Sequence, residues 1–135
     1  STRTFNYKPF KLDDHLERLY KSFKLTRIDP QMTIEEMKKV SLELLEINKD
    51  NYKANEDCWL VHNISRGHSI TGGNPALQVS KPTVMIYTQP MNLVLWAPFY
   101  TKGCHAVTPP TRMVPSQSLD ARIKNRSRLF YTLAG

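Results

Sequence analysis

Near the C-terminal end, Arg122-Ile123-Lys124-Asn125-Arg126-Ser127-Arg128 places four cations within seven residues. Two further placements of positive charge could do chemistry. Arg18 lies on a helical pattern, roughly opposite its apolar stripe of Leu12, Leu16, Leu19 and Phe23. Arg66 ends a mostly apolar run and is followed by Gly67 and His68. Each admits an ordinary reading and a functional one. Arg18 is either a solvated side chain or an anion anchor. Arg66 is either a turn residue or a group aimed at a ligand from a strand end. The run at 122–128 is either the basic face of a helix or a set of phosphate contacts. No aromatic lies inside that run, which argues against nucleic acid, and Phe130 and Tyr131 fall on its apolar-rich side. The residues by themselves leave these alternatives open.

Charge distribution sharpens the question. Residues 1–60 carry eleven Lys/Arg and eleven Asp/Glu, whereas residues 61–135 carry eight Lys/Arg against Asp120 alone. The whole excess of +7 therefore sits in the second half and asks for an anion: phosphate, carboxylate, nucleic acid or an acidic surface. Other classes of chemistry drop out. The sequence contains no G-x-S-x-G, Walker A loop, HExxH or G-x-G-x-x-G fingerprint. His15, His62, His68 and His105 stand at no metal-binding spacing, and Cys58 and Cys104 cannot build a disulfide scaffold. No apolar run approaches a membrane span and no signal-peptide core follows Ser1, so a reducing compartment, the cytoplasm, is expected.

The elements that position these groups follow from periodicity. With 40% hydrophobic and 23% charged residues, 135 residues suit one ordinary globular domain. Arg3 to Phe10 reads as strand, turn and short strand. A helix follows, with Leu12, Leu16, Leu19, Tyr20 and Phe23 on one face and Asp13 or Asp14 capping its first turn. After Pro30, Thr33-Ile34-Glu35-Glu36 is a capping box, which starts a second helix with Met37, Val40, Leu44 and Ile47 on one face. Asn48 to Asp57 is a polar turn. Four strands are then expected at Cys58–Ser65, Thr83–Thr88, Leu93–Trp96 and Cys104–Val107. A long loop runs from Gly67 to Pro82, an extended linker from Thr108 to Ser116, and a last helix from Ser118 or Asp120. The fold class expected is α+β. The start on a strand, and the end at Gly135 while the last pattern still runs, suggest a piece of something longer.

Four segments in order resemble one family. Phe10-Lys11-Leu12-Asp13-Asp14-His15-Leu16-Glu17-Arg18-Leu19-Tyr20-Lys21-Ser22 resembles the first-helix signature of class IV (fold-type IV) pyridoxal-phosphate enzymes. These are the branched-chain and D-amino-acid aminotransferases and their aminodeoxychorismate lyase relatives. Trp59 to Gly67 is similar to the family strand that ends in Arg-Gly. Thr108-Pro109-Pro110-Thr111-Arg112-Met113-Val114-Pro115 is similar to its interdomain linker. Ser118 to Ala134 is similar to the segment that bears its Schiff-base lysine.

The resemblance implies a small N-terminal domain, 1–107, whose mainly antiparallel sheet is packed by two helices. It implies a linker at 108–117 and the lysine-bearing start of a larger domain at 118–135. Carried over by residue, Lys124 is the aldimine lysine and proton shuttle, and Arg18 binds the phosphate of pyridoxal 5′-phosphate. Arg66 with His68 faces the substrate carboxylate, and Arg3 lines the same pocket. The implied reaction moves an amino group between an amino acid, of branched-chain or D type, and a 2-keto acid, in a homodimer. A lyase of the aminodeoxychorismate type and a non-catalytic basic interaction module are the alternatives. Elementary chemistry suits these roles. A phosphate favours a planar, permanently charged, bidentate donor. A lysine that attacks an aldehyde must be neutral, and Arg122, Arg126 and Arg128 beside Lys124 are expected to disfavour its ammonium.

Two departures stand out. Ser127 occupies the position three after the lysine where many members carry Asn. No acidic residue follows Lys124 to serve as the partner of the pyridine nitrogen, so the chain holds at most half of such an active site.

Overall fold

The computed structural model describes residues 1–53, 56–67, 81–126 and 129–134. These form two compact units, residues 1–91 and residues 92–135. The fold is α+β, with one four-stranded antiparallel sheet.

In the first unit, β1 (Thr2–Phe5) turns into β2 (Lys8–Pro9) through Asn6 and Tyr7, both at positive φ (49° and 62°). That is the two-residue hairpin geometry whose twist suits antiparallel strands. Tyrosine is a poor residue for it, so an outside clamp must compensate. Asp57 provides one: its Oδ1 accepts from the Tyr7 N–H (3.1 Å) and from the Thr4 hydroxyl (2.9 Å). Then come α1 (Leu12–Thr26), α2 (Ile34–Asn48), β3 (Cys58–Ser65) and β4 (Thr83–Pro90). The sheet order is β2-β1-β3-β4. Along β3 the even residues face the helices. Cys58 and Leu60 join Leu12, Leu16, Met37 and Leu45 in one buried cluster. The odd residues face away, so Arg3, Trp59 and Gln89 share one row and Val61 and Tyr87 the next.

Helix α1 buries the expected face through Leu12, Leu16 and Phe23. Its N-cap is Lys11, at φ 52°, rather than an aspartate; Asp13 and Asp14 sit inside the first turn, where they complement the dipole. The capping box on α2 is present in both directions, with Glu36 N–H donating to Thr33 Oγ1 (3.1 Å) and Thr33 N–H to Glu36 Oε2 (2.7 Å). The face of α2 differs from expectation. Met37, Ser41 and Leu45 are buried, while Val40 and Ile47 are exposed. Counting apolar residues alone missed Ser41, whose hydroxyl is satisfied inside the core by the Met37 carbonyl (2.6 Å) and His62 Nε2 (2.8 Å).

The second unit departs more from the periodicity. Leu93–Trp96, expected as a strand, belongs to α3 (Leu93–Lys102), which ends at Gly103 with φ 68°. A short continuous apolar run carries no period that separates strand from helix. Cys104–Val107 has no regular secondary structure and pairs with no strand among the described residues. The helix expected from Ser118 or Asp120 is replaced by turns, and α4 (Leu129–Ala134) starts later. The reason is local. Ser118 and Leu119 N–H both bond back to the Pro115 carbonyl (2.9 and 3.1 Å), and Asp120 Oδ1 accepts from Arg122 N–H (2.9 Å). Such side-chain bonds offer the backbone an alternative to helix. The expected loop lies largely outside the described residues, since only Gly67, Lys81 and Pro82 of it are described.

Candidate active site

Arg18 projects from α1 three residues after His15, a spacing that puts both side chains on one face of the helix. Its Nη2 donates to His15 Nδ1 at 2.9 Å. His15 is half-buried, and its pKa is lowered first by burial and then by the neighbouring Arg18 charge. The ring that accepts from Arg18 is thus neutral, with its proton on Nε2. Arg18 is exposed and makes no ion pair with a carboxylate among the described residues. Its remaining donors suit an exogenous anion.

Arg66 follows the last residue of β3 and, by strand parity, turns to the helical side of the sheet. There Nη2 donates to the Thr26 carbonyl at 2.7 Å and Nη1 to the Arg27 carbonyl at 3.4 Å. A cation is thus bonded to the C-terminal carbonyls of α1, where the helix dipole is negative. Gly67 is required beside it. Its φ is 94°, and a Cβ there would lie 1.8 Å from the Lys81 carbonyl oxygen. His68 lies outside the described residues.

Arg3 occupies the opposite sheet face. Its guanidinium sits 3.8 Å from the centre of the Phe5 ring and pairs with Asp57 at 3.7 Å. Since Arg3 is in register with Trp59, it stands about 20 Å along β3 from Ser65, the residue before Arg66. The structure therefore does not bring Arg3 and Arg66 together. Arg18 and Arg66 share the helical layer, joined through α1, whereas Arg3 belongs to the aromatic face of Phe5, Trp59 and Tyr87.

In the second unit Lys124 is exposed and follows the turn at 121–123. Arg122, expected to act as a neighbouring cation, is held by Asp120 in a forked pair: Nε to Oδ1 at 3.0 Å and Nη2 to Oδ2 at 2.6 Å. That pairing offsets the Arg122 charge and holds the Asp120 carboxyl down at about 2. The sole acidic residue of the second half is thus committed before the lysine is reached.

Sequence reasoning missed three partners: His15 under Arg18, Asp57 under Arg3, and the Thr26 and Arg27 carbonyls under Arg66. Only the first carried a signal, the three-residue spacing. An open groove lined by Tyr20, Phe23, Lys24, Arg27, Ile28, Asp29, Pro30 and Met32 lies at the end of α1 and contains none of the candidate side chains. Among the described residues no group of three or more His, Cys, Asp or Glu is gathered as if for a metal. No helix there is long and apolar enough to cross a membrane.

The sequence model of the class IV amino-transferases matches residues 1–135. The chain belongs to the class IV aminotransferase family. A relative from Methanocaldococcus jannaschii, "Putative branched-chain-amino-acid aminotransferase", is 32% identical over 132 residues. The match covers 98% of this chain and 42% of that relative, so the chain spans well under half its length. Class IV aminotransferases use pyridoxal 5′-phosphate, and the donor types here fit that group: an exposed guanidinium with donors to spare for the phosphate, and an exposed primary amine for the aldehyde.

Proposed function

We propose that this chain contributes the small domain and the reactive lysine of a pyridoxal-phosphate-dependent aminotransferase acting on branched-chain amino acids and a 2-keto acid. The family match over residues 1–135, which runs through Lys124, supports this reading most directly. The name of the archaeal relative supports the substrate class. In this reading residues 108–117 link a small domain, 1–107, to the start of a larger one, 118–135. The whole enzyme is a cytoplasmic homodimer.

Bound pyridoxal 5′-phosphate supplies an electron sink that lets the proton leave the carbon bearing the amino group. Lys124 holds the cofactor covalently and, as an amine, carries that proton to and from the reacting carbon. Arg18 binds the phosphate by charge-assisted hydrogen bonds. Arg66 orients the substrate carboxylate, a stronger acceptor than the helix carbonyls its guanidinium now holds, and the same reading gives His68 a share in that role. Arg3 and the aromatic face around it lie on the other side of the sheet, out of reach of a small substrate held at Arg66.

The test is co-substrate dependence together with one substitution. Amino-group loss from a branched-chain amino acid should require a 2-keto acid acceptor, and Arg18→Ala should weaken pyridoxal 5′-phosphate affinity by about 2–4 kcal/mol. Turnover without any keto acid would indicate a lyase instead. Unchanged cofactor affinity would leave Arg18 as surface.

A further inference from the structure

We propose that His15 is a positioning residue for Arg18: its Nδ1 accepts from the guanidinium at 2.9 Å and so holds the other donors outward for a phosphate monoester. This rests on the reading of Arg18 as the phosphate anchor. Arg18 is exposed on a helix, and an exposed arginine is spread over many rotamers, so gripping a phosphate would first require freezing it. A fixed acceptor one helical turn away does that in advance, which is how preorganisation raises affinity.

His15 is suited to the task by its place on α1. It is half-buried, and its titration is influenced by Arg18, by Asp14 and by the N-terminal amine. A carboxylate at position 15 would bind Arg18 more tightly but would repel the incoming phosphate. A neutral imidazole orients the guanidinium and leaves its charge available. The sequence reading passed over His15 because it forms no metal or triad spacing.

Three variants test this by affinity for pyridoxal 5′-phosphate and for pyridoxal, which lacks the phosphate. His15→Leu removes the acceptor. His15→Asn keeps one, because its Oδ1 falls where Nδ1 stands. His15→Gln is equally polar but carries its acceptor one bond too far out, and so separates positioning from folding should the leucine variant fail to fold. The expected result is roughly tenfold weaker pyridoxal 5′-phosphate binding by the Leu and Gln variants, with recovery to within about threefold by Asn and no change for pyridoxal. Leu and Gln variants that bind the phosphate form like the parent, while Arg18→Ala loses it, would overturn the role of His15 and leave that of Arg18 intact. A parent chain that binds pyridoxal 5′-phosphate no better than pyridoxal would remove the phosphate role of Arg18, and this proposal with it.

Discussion

Arg66 at the end of β3 donates to the carbonyl of Thr26 at the end of α1, at 2.7 Å, so a strand end and a helix end meet in one guanidinium. The helix that carries Arg18 is thereby tied to the sheet at its far end, and the left-handed C-cap at Arg27 (φ 53°) is covered. Arg66→Ala should lower stability by about 1 kcal/mol in urea denaturation, the worth of an exposed charge-assisted bond at a helix terminus. The same variant should raise the KM for the amino acid. Lysine at position 66 should recover little, since it lacks the fork that reaches two carbonyls. A stability loss with unchanged KM would confine Arg66 to the helix cap.

Asp57 carries the tightest local demand in the sheet. One carboxylate accepts from Tyr7 N–H and the Thr4 hydroxyl and pairs with Arg3, all around a turn that places tyrosine at positive φ. Asp57→Ala should cost about 1–3 kcal/mol, because it strips the Tyr7 N–H of its acceptor and leaves the Thr4 hydroxyl only its longer bond to the Cys58 carbonyl (3.3 Å). Asp57→Asn retains one acceptor oxygen and should cost roughly half as much. Thermal or urea melts of the two variants check this ordering.

His62 makes stability fall in acid. Burial, the largest cause, pushes its pKa from 6.5 down to about 4, and its Nε2–H is held by Ser41, whose own proton goes to the Met37 carbonyl. The unfolded chain therefore binds a proton at higher pH than the folded one. The contribution is fully present above pH 6.5 and is lost as pH falls from there through about 4, amounting to about 3 kcal/mol. His15, also lowered, acts in the same direction. Urea titrations at pH 7 and pH 4.5 should show a steeper loss in the parent chain than in His62→Asn. Equal pH dependence would contradict the burial of this ring.

The parts of the fold that could be read in advance are those with a strong period or a local signature. The Leu12/Leu16/Phe23 stripe, the Thr33–Glu36 box and the strand at Cys58–Ser65 all belong to this kind. What failed depended on partners that composition and period do not show, some far away in sequence and some close by. Ser41 could enter the core only because His62 waits there, twenty-one residues on. Leu93–Trp96 has the composition of a strand but no ladder to join. Around Asp120 a carboxylate captured backbone that the pattern assigned to helix. The candidate site behaved likewise. The cationic residues were visible as types, but what holds each of them, a ring nitrogen, a carboxylate or a helix end, was not.

Lys124 is the residue proposed to bond to the cofactor. The direct measurement is to load the protein with pyridoxal 5′-phosphate, reduce it with borohydride and locate the fixed cofactor by peptide mass. One equivalent on the peptide that contains Lys124, absent in Lys124→Ala, is the predicted result. Cofactor still fixed stoichiometrically in Lys124→Ala, or mapped to another lysine in the parent, would contradict it.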